Sequence, residues 1–166
     1  SHIDADGLTS AAIAATALER AEIPVEVSFS KQLDAEEIGA IARTDHETVL
    51  FTDFGSGQLG TIVEYEREGA FTPIVADHHQ PADAETEFHL NPLLEGIDGA
   101  SELSGAGAAY LLARALEDEG DGRDNRDLAA LAIVGAVGDM QASGGELHGA
   151  NAAVVADGVD AGVVEE

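Results

Sequence analysis

Cysteine and tryptophan are missing from this chain, which also has one methionine, four prolines and a single lysine, Lys31. The lack of thiols excludes disulfides and thiolate metal sites, so any protein-bound cation must be held by oxygen and nitrogen. Aromatic residues make up only 4%, too few for the stacking platform that grips single-stranded nucleic acid tightly. Neither a signal-peptide pattern nor an apolar run of membrane-spanning length is present, so the cytoplasm is the default compartment and no membrane partner is expected. Basic residues are scarce: seven Lys and Arg stand against 33 Asp and Glu, a net charge of −26. Phosphate contacts need Lys and Arg, so this balance argues against a nucleic-acid partner, unless the acid coat is an adaptation to a salt-rich cytosol. The near absence of lysine fits such a halophilic surface better than an ordinary acidic one.

What is present suffices for a real core. At 166 residues and 45% hydrophobic, the chain reads as one domain over 1–166. Strand-like segments near Val25–Phe29, Thr48–Thr52, Phe71–Ala76 and Glu87–Leu90 alternate with helix-patterned ones, which predicts an α/β fold: a mainly parallel sheet with helices on both faces. Leu8, Ala11, Ala12, Ala15 and Leu18 recur at helical spacing, giving an amphipathic helix from about Leu8 to Ala21. Another apolar helix covers Ala108 to Leu116. Leu128 to Val137 is apolar nearly all round and reads as a buried helix. The charged stretch Glu117 to Asp127 reads as a solvated connection, and Gly158 to Glu166 as the approach to a linker. A strand is expected ahead of Asp4, where the chain opens directly on an acidic cluster.

That cluster is one of four segments that carry chemistry. Asp4 and Asp6 are two residues apart, so at an extended strand end both carboxylates would share a face, and Gly7 would then let the chain turn into the helix. Val49-Leu50-Phe51 ends at Asp53, and Ile74-Val75-Ala76 ends at Asp77-His78-His79, both where open α/β sheets place ligands. Gly138-Asp139 follows the apolar helix. Each alone could be a turn, a cap or a helix exit, but together they converge on one sheet edge. Four carboxylates and at least one imidazole suit Mn²⁺ or Mg²⁺, and spare carboxylates point to two ions and to phosphoryl chemistry on water. Ser104-Gly105-Ala106-Gly107 opens a helix whose free amides could hold a phosphate, or could simply be capped, with glycines that permit close packing. His46, His89 and His148 lack such context and read as loop or surface residues.

The four segments, in this order and spacing, resemble the catalytic domain of the DHH phosphoesterase superfamily over nearly the whole chain. His2-x-Asp4-x-Asp6-Gly7 is similar to its first motif, Asp53 to its second, Asp77-His78-His79 to its third and Gly138-Asp139 to its fourth. The resemblance implies two Mn²⁺ or Mg²⁺ ions held by His2, Asp4, Asp6, Asp53, His78 and Asp139, with Asp53 bridging and catalytic. It implies that His79 touches the scissile phosphate or a metal, and that Ser104, Gly105 and Gly107 contact substrate. The Asp-x-Asp-Gly-Leu-Thr-Ser opening and Leu103 to Tyr110 most resemble the archaeal RecJ-like nucleases. Family II inorganic pyrophosphatases match less well, because their first His stands four residues before the Asp pair, whereas His2 precedes Asp4 by two.

A RecJ-like member would hydrolyse single-stranded DNA or RNA from an end, possible partners being replication or repair proteins. Rival members of the superfamily cleave oligoribonucleotides, adenosine bisphosphate or cyclic dinucleotides, and others serve as replisome scaffolds after losing motif ligands. The ligands are all present here, which favours activity. Relatives carry a C-terminal domain that grips substrate, and the resemblance implies that this domain is absent from the chain.

Overall fold

Three short parallel strands, β1 (Thr48–Thr52), β2 (Thr72–Ala76) and β3 (His89–Leu90), lie in that order across one sheet. The structure, a computed structural model, describes residues 1–117 and 124–165. β1 and β2 pair from Thr48–Thr72 to Thr52–Ala76, and β2 meets β3 at Val75–His89 and Ala76–Leu90. Phe51 and Val75 are therefore neighbours on one face, packed with Ile38 of α2 (Ala35–Ala42) and with Leu59 and Ile62 of α3 (Leu59–Arg67).

The other face is covered by α1 (Ala5–Arg20) and α4 (Gly105–Ala115), and α5 (Ala129–Gly138) and α6 (Gly149–Asp160) extend that layer outward. Its core joins Ile13, Ala17, Ala106, Ala109, Tyr110, Ala113, Ala132 and Val154. Alanines at the contacts bring the helix axes close, which is why so alanine-rich a sequence still packs. The architecture is the mainly parallel α/β sheet with helices on both faces that the sequence predicts.

Several local expectations change. Residues 25–29 form no strand: Ser1 bonds across to Ser28 and Ser30 and one parallel bridge joins His2 to Ser30, but no ladder continues, and Val25, Val27 and Phe29 stay exposed. The first helix begins at Ala5 rather than Leu8, because Asp4 caps it by accepting the Gly7 amide at 2.8 Å, a bond worth about 1 kcal/mol. Asp4 and Asp6 are thus a cap and a first-turn residue, not alternate positions of a strand end. Helix α5 is buried only along Ala129, Ala132, Gly135 and Ala136, while Val134 and Val137 are about half exposed, at 54% and 53%. Gly158 lies within α6, packed on Ala129 and Val164. Of the charged connection, residues 118–123 lie outside the described residues; Asn125 is buried, with its side-chain amide on the Ala113 carbonyl at 2.7 Å. Among the described residues no helix is long and apolar enough to cross a membrane.

Candidate metal centre

Each predicted ligand stands where an element ends. Asp53 follows β1, His78 follows β2, Asp139 caps the C-terminus of α5, and Asp4 and Asp6 open α1. Asp53 has a left-handed backbone, φ 56°, yet its amide still donates to the Ala76 carbonyl at 3.0 Å, so the β1–β2 ladder runs one residue past the strand while the side chain turns into the site. A non-glycine residue in that region is held by its surroundings against an unfavourable local preference. Gly105 makes room for it: a Cβ there would lie 2.8 Å from the Asp53 Cβ and Cγ. Asp6 is fixed at both oxygens, Oδ2 accepting the Gly105 amide and Oδ1 the Ala106 amide, each at 2.8 Å.

The side chains fall into two triads of potential donors. His2, Asp4 and Asp53 each bring a ligand atom, all within 4.8 Å of one another, and so do Asp6, His78 and Asp139. Asp53 Oδ1 lies 3.2 Å from His78 Nε2, which joins the triads. Both atoms are buried and neither has a hydrogen-bond partner, because the contact lacks hydrogen-bond geometry. His78 Nδ1 is engaged by the Gly99 carbonyl at 2.6 Å, which directs the Nε2 lone pair inward in the neutral ring. Orphaned buried polar atoms are costly unless a further group satisfies them. Hard carboxylate and imidazole donors, with no thiol, fit Mn²⁺ or Mg²⁺ at this position.

Electrostatics of the cluster point the same way. Burial, together with Asp6 and Asp4 nearby, pushes the Asp53 carboxyl up to about 7 despite the adjacent His78. Burial also raises Asp6, against the pull of the Ala106 and Gly105 amides and of His78. Burial alone would lower His78, but Asp53, the Gly99 carbonyl and Asp6 outweigh it and raise the ring to about 9. Asp4, desolvated only in part, is held below its usual range by the Gly7 amide and His2, whose Nδ1 is 2.6 Å from Asp4 Oδ2. Protons thus occupy a cluster of negative groups that a cation would otherwise neutralise.

The third donor group, Asp53, Asp77, His78 and His79, has a different character. Asp77 is fully buried and already committed: Oδ2 accepts the Ser56 amide at 2.9 Å, and Oδ1 accepts the His78 amide at 2.8 Å and lies 2.7 Å from His79 Nδ1. Against its desolvation, those contacts, the His79 ring foremost, bring Asp77 down to about 2. The hydrogen bond to Asp77 correspondingly raises His79, whose side chain is 58% exposed. Asp77 therefore holds His79 in place, by the ring and by its backbone amide at 3.3 Å.

Sequence reasoning missed part of this support. His89 is not a surface residue: it sits on β3, half buried, with Nε2 2.8 Å from Ser56 Oγ. Asn91 donates to Ser56 Oγ and to the His79 carbonyl, both at 2.8 Å. Alternation along β3 could have indicated that His89 faces inward. The helix opening at Ser104 also differs from a phosphate cradle. Asp6 takes the Gly105 and Ala106 amides, and Ser104 Oγ takes the Gly107 amide at 3.1 Å, so the capped-helix alternative accounts for all three.

The ends of two parallel strands and of two helices thus gather four carboxylates and two imidazoles that could hold a metal ion, on the edge where parallel α/β sheets place their ligands. Residues 1–136 match the model of the DHH family, N-terminal domain, and the chain belongs to that family. It is 35% identical over 148 residues to an uncharacterized protein of Methanocaldococcus jannaschii, covering 84% of this chain and 32% of that protein. It also resembles the exonuclease RecJ solved bound to manganese, with a TM-score of 0.75 and 28% identity over 96% of this chain and 41% of that one. The domain is RecJ-like, and the chain spans about a third to two fifths of the length of these relatives.

Proposed function

We propose that this domain holds two divalent ions, Mn²⁺ or Mg²⁺, and hydrolyses phosphodiester bonds of single-stranded DNA or RNA from an end. The observation that carries the reading is the buried, partnerless pair Asp53 Oδ1 and His78 Nε2 at the junction of two donor triads. Two ions at such a site supply a water of lowered pKa and positive charge for the phosphoryl oxygens. Asp53, whose Oδ1 lies 3.2 Å from His78 of the second triad, would hold the ions as a carboxylate, without its proton. Asp6 is preorganised by two helix amides, so its carboxylate would need no reorientation to hold a cation. His79, held at Nδ1 by Asp77, presents Nε2 to solvent, where it can donate to a phosphate oxygen.

The similarity to RecJ favours a polymer. One feature favours the small-nucleotide alternative instead: the chain has few cations for a phosphate backbone, and Arg20, Arg114 and Arg126 are already ion-paired with acids, to Asp127, to Glu117 and Asp157, and to Asp124. Incubating the chain with Mn²⁺ and end-labelled single strands, dinucleotides and pyrophosphate separates the readings. Progressive shortening from one end, with pyrophosphate untouched and activity lost in His79→Ala, is the expected result. Cleavage of dinucleotides alone moves the assignment to a small substrate. No hydrolysis, with firm binding to replication proteins, moves it to a scaffold.

A further inference from the structure

Gln141 is buried to 2% exposure, lies outside every segment that the sequence singled out, and is bonded at all its polar positions. Its Nε2 donates to Asp139 Oδ2 at 2.8 Å and to the Gly99 carbonyl at 3.0 Å, and its Oε1 accepts the Asn151 side-chain amide at 2.7 Å. The Gly99 carbonyl is the same atom that engages His78 Nδ1 at 2.6 Å. One amide group thus bridges the supports of two members of a single donor triad, Asp139 and His78. We propose that Gln141 is a positioning residue for the ion bound by Asp6, His78 and Asp139, holding Asp139 directly and His78 through Gly99.

The backbone places it there. Helix α5 ends in a Schellman turn: the Gln141 amide donates to the Ala136 carbonyl at 2.9 Å and the Met140 amide to Val137 at 3.0 Å, with Met140 in the left-handed region at φ 59°. This turn puts Asp139 at the helix cap and brings the residue two further on back beneath it. Met140 itself is 88% exposed, so the turn exists without help from its side chain. Asn151, in the first turn of α6 and itself buried, fixes which end of the Gln141 amide faces Asp139. A carboxylate that accepts a fixed donor at one oxygen keeps lone pairs for a cation and has little freedom to swing. Loss of such support typically weakens a metal site about 10- to 100-fold.

The inference rests on the two-ion reading, and the test separates the two. Mn²⁺ titrations followed by calorimetry and by electron paramagnetic resonance compare the unaltered chain with Gln141→Met and the isosteric Gln141→Glu. Arg114→Met, which breaks the tie between α4 and α6 far from the triads, controls for lost stability. The unaltered chain should take two Mn²⁺ with an exchange-coupled signal. Both Gln141 variants should keep one site near its normal affinity, weaken the other about 10- to 100-fold, and lose the coupled signal at limiting Mn²⁺, whereas Arg114→Met keeps both. Gln141 variants that lower the melting temperature but bind two ions normally overturn the positioning role, as does equal weakening in Arg114→Met. An unaltered chain that binds no second Mn²⁺ defeats the two-ion reading itself. Should Gln141→Met fail to fold, Gln141→Glu decides on the same criteria, with Asn151→Asp as a milder variant of the same network.

Discussion

Asp6 and Gly105 are 99 residues apart and joined by a 2.8 Å hydrogen bond, backbone amide to carboxylate. The N-terminus of α4, the kind of place that binds free anions, is here occupied by an anion of the protein's own. Its positive end therefore acts on the candidate metal site through Asp6, and a substrate phosphate would have to be met by other groups.

Replacing Asp53 by alanine should remove more function than replacing any other single ligand, because this carboxylate stands in contact range of both triads. We expect Mn²⁺ stoichiometry to fall below one per chain in calorimetry and hydrolysis to drop at least about a thousandfold. Near-normal turnover in Asp53→Ala would rule out the bridging role.

Metal binding should tighten as pH rises. In the ion-free protein Asp53 is raised to about 7 and His78 to about 9, so the folded state holds protons that the unfolded state has released. Its stability therefore falls as pH rises, from about 4 to 7 through Asp53 and from about 6.5 to 9 through His78. Mn²⁺ replaces those protons, so the gain in melting temperature from Mn²⁺ over EDTA should grow from pH 6 to pH 8. An equal gain at both values would show that neither group gives up a proton to the ion.

Gly105→Ala should damage the site without removing any chemical group. The added methyl meets the Asp53 side chain, an overpacking that costs about 1–3 kcal/mol. Urea melts should show that loss, and Mn²⁺ affinity should fall with it. Unchanged affinity would mean that Asp53 can move aside.

Met140→Gly should do the opposite. The left-handed conformation costs a non-glycine residue about 1–2 kcal/mol, and glycine gives back part of that through greater freedom when unfolded. A net gain of up to about 1 kcal/mol, or roughly 2–4 °C in melting temperature, is expected with Mn²⁺ binding intact. A lower melting temperature would show that the methionine side chain has a partner in the folded protein.

The acid surface predicts a salt requirement. Melting temperature should rise between 0.1 M and 1 M KCl, as the screening length falls from about 10 Å to about 3 Å, and neutralising exposed acids such as Glu36 or Asp83 should lessen the rise. A flat or falling trend would remove the halophilic reading and restore the charge as an argument against a nucleic-acid substrate.

The sequence made much of this legible because the ligands sit at element ends, where apolar runs stop and carboxylates or histidines begin. β1 and β2 were readable from Val49-Leu50-Phe51 and Ile74-Val75-Ala76, and Asp53 and His78 lie where those runs terminate. What escaped was support from afar. Gln141 follows a turn with a methionine where glycine is usual, so nothing in its sequence context announces that it faces inward, and the inward face of His89 could be read only from alternation along a strand of two residues. The cap by Asp4 was hidden by competition between two readings of Asp-x-Asp: alternation along a strand and the start of a helix. The fate of the Gly105 and Ala106 amides depended on Asp6, a contact that only the closed fold creates.

Asn91 follows the two-residue edge strand β3 and holds both the His79 backbone and Ser56, whereas Asp4, Asp6 and Asp139 rest on α1 and α5, with Asp6 tied to the start of α4. The site thus hangs from two mountings of unequal strength, a short sheet margin and a packed helical layer. Under gentle warming or mild denaturant the margin should loosen first, so that the carboxylates on the helices keep their places while His79 has drifted from its post. Its working range would then end well before its fold does.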